Sequence, residues 1–140
     1  MQVSSRLRAA IEAAPIAHVV TLARDGTPQA TLAWIGLDGD EIVIGTMFDQ
    51  PKLRNLRSDP RILISFETGG PNAMGLNAYF VVHGNARVTE GGAPQLLQRL
   101  AYSYVGPGTE YPPFPNPPAG WVIRTTVERV TDRGPAQAGD

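Results

Sequence analysis

Turn-forming residues recur at short intervals along this chain, and they limit it to short elements. Asp25-Gly26, Asp38-Gly39-Asp40, Asp59-Pro60 and the Gly69-Gly70-Pro71 cluster separate runs rich in β-branched and aliphatic residues. Such punctuation between short apolar runs is the signature of strands joined by tight turns. Ala17–Ala23, Gln29–Leu37 and Glu41–Met47 read as a three-stranded meander over 17–47. Arg61–Glu67 alternates Ile62, Ile64 and Phe66 against Leu63 and Ser65, and Asn77–Thr89 forms a long strand that Gly84 bends or bulges. Trp121–Val130 is the last strand, and the tail from about residue 131 is expected to fray.

Three segments keep helical spacing instead. Residues 4–14 carry Leu7, Ile11 and Ala14 on one stripe, with Ser4 or Ser5 as cap and Pro15 after the end. Pro51–Arg57 starts with a proline suited to the first helical position, and Asp59-Pro60 stops it. Glu90–Tyr104 spaces Leu96, Leu97, Leu100, Ala101 and Tyr104 for a core. Residues 107–118 hold six prolines and read as an extended loop. Six strands and three short helices predict a mainly β, α+β fold: a small β-barrel carrying helices, with residues 1–140 as one domain.

The composition narrows function mainly by exclusion. Hydrophobic residues make up 42% of the chain and charged ones 18%, enough for a packed core. The net charge of −1 argues against nucleic acid as partner. No cysteine is present, which removes disulfides, thiolate catalysis and Cys-based metal sites. His18 and His83 lie in predicted strands, far apart in sequence, and no metal site is expected. Asp38, Asp40 and Glu41 cluster, but in a turn, where a solvated hairpin tip is the ordinary outcome. The longest uncharged run, 68–86, is too rich in glycine, proline and asparagine to span a membrane, and the charged first turn does not resemble a signal peptide. A cytoplasmic protein is expected. With no evident acid, base or nucleophile, any enzymatic reactivity would belong to a bound organic cofactor.

One segment stands out. The basic residues comprise eleven arginines and one lysine, and Lys52 falls with Arg54, Arg57 and Arg61 in the stretch from Gly45 to Arg61. There a strand ends and a helix begins, so free backbone N–H groups and the positive helix end favour an anion. Lys52 and Arg54 add full charges and Thr46 a hydroxyl. The competing reading is a solvated basic helix face.

The order of "TLARDGTPQATLAWIGLDGDEIVIGT", "KLRNLRSDPRILISFE" and "YFVVHGNARVTEGG" resembles the pyridoxamine-phosphate-oxidase-like split β-barrel family of flavin and deazaflavin oxidoreductases. It is most similar to the short actinobacterial branch that uses coenzyme F420, over residues 5 to 130 or so. The Lys52–Pro60 block after the Asp25–Gln29 hairpin is the most specific part. The resemblance implies a six-stranded split barrel and a homodimer with cofactor sites between subunits. Lys52 would contact the cofactor phosphate, supported by Thr46, Met47 and Asn55. Gln29 and Thr31 would lie along the ring, with Trp34 a weaker candidate. Asn77 and Tyr79 match positions that come from the other subunit. One of Arg54, Arg57 or Arg61 would meet an acidic cofactor tail. The chain departs from the family at its end, where Gly134-Pro135 is followed by Ala136 instead of an aromatic. Arg124 and Arg129 are no convincing counterpart of a second phosphate site, which disfavours pyridoxal phosphate synthesis.

The resemblance therefore implies an F420-dependent reductase that passes hydride to a conjugated small molecule. An FMN enzyme of the same fold is one alternative, and a non-catalytic flavin-, deazaflavin- or haem-binding protein is another. The loop 107–118, with Tyr111 and Phe114, is expected either to wall the substrate pocket or to serve as a crossover packed on the barrel.

Overall fold

In the computed structural model, residues 1–135 are described. The elements run α1 (Ser5–Glu12), β1 (Ala17–Leu22), β2 (Pro28–Ala33), β3 (Gly36–Asp38), β4 (Glu41–Thr46), α2 (Pro51–Ser58), β5 (Arg61–Pro71), β6 (Asn77–Glu90), α3 (Ala93–Tyr104) and β7 (Trp121–Arg133). The strands form one sheet in the order β2-β1-β5-β6-β7-β4-β3, with every pair antiparallel.

The connectivity forces this sheet to close. Laid flat, seven strands at ~4.8 Å spacing would hold β2 and β3 roughly 29 Å apart. Yet Ala33 ends β2 and Gly36 begins β3, and three Cα steps reach about 11 Å at most. The two edges must therefore meet, and the sheet rolls into a split barrel.

That junction corrects the sequence reading. The expected strand 29–37 breaks at Trp34-Ile35 and its halves join opposite edges, so there are seven strands, not six, and residues 17–47 are not a meander. The physical cause is a side chain. The Tyr104 hydroxyl accepts the Ile35 N–H at 3.0 Å and donates to the Pro15 carbonyl at 2.5 Å, replacing ladder bonds where the chain changes edge. The last strand also runs on to Arg133, past the expected end at Val130. Residues 131–133 extend β7 against β6, and Arg6 on α1 pairs with Asp132 at 2.9 Å. The expectation for residues 136–140 lies outside the described residues.

The other elements follow their local chemistry. Ser4 caps α1 by accepting from the Leu7 N–H, and Pro51 opens α2. Gly84 sits at a register shift between β6 and β7, as expected, where a Cβ would lie 2.6 Å from the Thr126 carbonyl oxygen. Ile42 and Ile44 of β4 point into the barrel with Ile64, Phe80, Val82 and Ile123, and Leu7, Ile11, Leu53 and Leu56 from α1 and α2 join them. Val43 and Val122 face outward, where Leu96 and Leu100 of α3 bury them. Gly45 lets α3 settle on β4, since a Cβ there would come within 3.0 Å of Leu97 Cγ.

Candidate functional site

A cleft of about 950 Å³ opens between β2, the end of β4 and the start of α2, within the size range of small-molecule sites. Its floor is β2, whose residues from Pro28 to Leu32 are all exposed. Gln29 and Thr31 lie along it, and Thr46 and Met47 reach it from the end of β4.

Lys52 is the one charged residue on the lining. It is only 8% exposed, and no hydrogen bond or carboxylate partner is seen for it among the described residues. Burial holds its ammonium below the usual lysine pKa, because desolvation disfavours the charged form. On the same lining, Thr46 has its hydroxyl buried without a partner among the described residues. A buried cation and an orphaned hydroxyl are each costly unless something satisfies them. Gln50 supplies no side-chain cap to α2, so the positive helix end opens onto the same place.

Asn55, one turn after Lys52, faces inward. Its amide donates to Gln29 Oε1 at 2.6 Å and to Thr21 Oγ1 at 3.1 Å, tying α2 to the β1–β2 hairpin. The other end of the cleft is aromatic. Trp34 stacks on Tyr104 with centroids 5.2 Å apart and meets Tyr111 at 5.3 Å. Leu97 and Ile16 also line the cleft.

The structure thus brings Gln29, Thr31, Thr46, Met47 and Lys52 onto one surface, with Asn55 bonded to Gln29 behind it. It does not bring in the others. Arg54 is exposed and faces Asp49 at 3.4 Å, Arg57 lies over Trp121 at 5.9 Å, and Arg61 folds back on Asp59 at 2.7 Å. Asn77 and Tyr79 are exposed at the start of β6, and neither lines the cleft. His18 and His83 are also absent from its lining. The carboxylates of the 38–41 turn are taken up by arginines: Asp38 by Arg124, Asp40 by Arg8, and Glu41 by Arg87 and Arg124.

Sequence reasoning missed Thr21, which is 1% exposed inside a strand and sits opposite Gln29 in the hairpin register. Counting residues back across the Asp25-Gly26 turn would have found it. Leu97 carried no such signal, because its spacing is that of any core leucine. Of the two loop aromatics, Tyr111 lines the cleft and Phe114 does not.

A split barrel whose exposed edge strand floors a cleft, with a lone buried lysine at a helix start, defines a recognisable class. The family model described as pyridoxamine 5'-phosphate oxidase matches residues 3–134, and the chain belongs to that family. Comparison with curated proteins gives no match. Among solved structures, an F420 reductase superposes with a TM-score of 0.73 at 22% identity, covering 92% of this chain and 98% of that one. A conserved hypothetical protein from Mycobacterium tuberculosis gives 0.67 at 23% identity, covering 92% and 84%. A heme binding protein from Mycobacterium smegmatis gives 0.59 at 25% identity, covering 91% of this chain and 54% of that one.

Proposed function

We propose that this protein is an oxidoreductase that binds coenzyme F420 in the cleft and reduces a conjugated small molecule. The observation that carries the reading is the buried, unpaired Lys52 at the start of α2, on one lining with the orphaned Thr46 hydroxyl. A phosphate would pair with the Lys52 ammonium, and with the Thr46 hydroxyl once that group turns toward the cleft, and a hydrogen bond to a charged group is worth roughly 1.5–3 kcal/mol. The donor set therefore fits the phosphate that F420 and FMN share.

In this reading Lys52 and Thr46 hold the phosphate, with Met47 beside them. Gln29 and Thr31 lie under the ring, and Asn55 fixes the Gln29 amide by donating to its Oε1, which leaves the Gln29 N–H groups for the ligand. When bound and reduced, the cofactor supplies hydride to an electrophilic carbon, and water supplies the balancing proton. The chain's own part is to orient the ring, cover one face of it and keep the acceptor close. A second copy of the chain would cover the exposed face of β2 and bring Asn77 and Tyr79 over the site. Arg54 would meet an acidic cofactor tail only by leaving Asp49, an exchange between exposed partners that costs little.

The test is a fluorescence titration of the purified protein with F420 and FMN side by side, together with Lys52→Ala. Preferential F420 binding is expected, weakened on the order of tenfold or more in the variant. Unchanged affinity in Lys52→Ala overturns the phosphate assignment. A yellow protein that releases FMN on denaturation overturns the choice of F420.

A further inference from the structure

The aromatic end of the cleft has a structure that cofactor binding does not require. Trp34 and Tyr104 are fixed: their rings are stacked at 14°, and the Tyr104 hydroxyl is held by Ile35 and Pro15. Tyr111 differs from them, because it rides on the proline-rich loop, outside any helix or strand. One side chain seats that part of the loop. Gln98 on α3 donates from Nε2 to the Thr109 carbonyl at 2.6 Å and accepts the Tyr111 N–H at Oε1 at 2.9 Å. The amide thus imitates a strand partner for the loop backbone and sets Tyr111 against Trp34 at a tilt of 53°.

The two half-buried, tilted rings both line the open cleft and form a wedge at its side. Flat ring systems gain from offset or edge-to-face contact with such rings, whereas puckered ones cannot approach both. Lys52, the one charge on the lining, belongs to the α2 end with Asn55 and Gln29. Trp34, just past the end of β2, lies five residues beyond Gln29, roughly 17 Å at strand rise. At the aromatic end an ionised group would lose water without gaining a partner.

We propose that Tyr111 is a specificity-determining residue that makes the cleft accept flat, apolar ring systems as the molecule to be reduced, and that Gln98 is the positioning residue that holds Tyr111 there. The inference rests on the proposed function for its meaning as an acceptor site, but the wedge itself is testable without cofactor.

The probe is 1,4-naphthoquinone, titrated against the fluorescence of Trp34 in a Trp121→Phe background. The absence of cysteine removes the commonest side reaction of a quinone. Quenching that saturates is expected, and 1-decalone, similar in size but puckered, should not displace the quinone. Tyr111→Phe keeps the ring and should keep the affinity, while Tyr111→Ala should weaken it about five- to tenfold. Gln98→Ala should cost a similar factor, and the Gln98→Ala/Tyr111→Ala double variant no more than either alone. That non-additivity is the mark of one residue acting through the other. F420 and FMN affinities of all these variants should match the parent. The proposal is overturned if naphthoquinone does not bind, if 1-decalone competes equally, if Tyr111→Ala binds as the parent does, or if the two losses multiply. A protein that binds naphthoquinone with this pattern but neither cofactor would overturn the proposed function and leave the wedge standing.

Discussion

β2 and β4 are both six residues long and both border the cleft, yet they are built in opposite ways. β4 is paired on both sides, by β3 and β7, and buried on both faces, by the barrel interior and by α3. β2 is paired only with β1, and five of its residues are exposed, including Leu32 at 62%. An edge strand with open apolar positions is normally blunted or covered. β4 is thus determined by the fold, whereas β2 keeps an open face. The site arises where the two meet: a rigid strand end delivers Thr46 and Met47, and an open strand supplies the platform.

The largest expected effect tests whether the contrast is real. Ile44→Ala, at a position 1% exposed in the barrel interior, should cost about 2–5 kcal/mol in urea unfolding. Leu32→Ala on β2 should stay within about 0.5 kcal/mol for the isolated chain. If Leu32→Ala costs as much as Ile44→Ala, β2 is covered in solution. Sedimentation at several concentrations would then show a dimer that the Leu32 substitution loosens.

A smaller effect sharpens what Lys52 is for. Its folded pKa lies below the unfolded value of about 10.5, so above the folded pKa the unfolded chain binds more protons. Stability should therefore rise with pH across that window, as the buried ammonium loses its proton. Lys52→Met keeps the stem and removes the charge. It should raise stability near pH 7, by on the order of 1 kcal/mol, and abolish the rise at high pH. Thermal melts across the alkaline range check this. A destabilised variant with an unchanged pH profile would mean that Lys52 serves packing and not a ligand. Stabilisation combined with lost cofactor affinity is the signature of a residue kept for binding.

Much of this arrangement could be read from the chain because local chemistry and fold agree there. Pro51 after Gln50, the Asp25-Gly26 turn and the alternation of Ile62, Ile64 and Phe66 each fix an element without distant help. The Lys52 neighbourhood was legible for the same reason, since strand end, helix start and lysine are adjacent in sequence. The break at Trp34-Ile35 was hard to read, because Tyr104, some seventy positions later, holds it and Gly36 is the one local sign of it. The wedge was hidden similarly: Gln98 looks like a surface helix residue until the loop lies against it. Asn77 and Tyr79 belong to a third kind, since the chain leaves them away from the cleft and their assignment rests on the proposed second copy.

The smallest expected effect asks whether charge as well as burial separates β4 from β2. Glu41 opens β4 and is gripped by Arg87 from β6 and Arg124 from β7, the latter at 3.5 Å. No residue of β2 carries a charge. The Arg87 hydrogen bond, with the nearby positive charges, holds the Glu41 carboxyl below its ordinary value of 4.5. The stabilisation is therefore complete above that value and is lost as pH falls through the lowered one. The pair is largely solvated, so Glu41→Gln should cost only a few tenths of a kcal/mol at pH 7. The difference should shrink as the pH is taken below the lowered value and should also fall with added salt. Urea midpoints for parent and variant at pH 7 and below that value measure it. A cost that persists unchanged in acid would show that Glu41 acts through its stem and backbone, leaving burial alone to hold β4 in place.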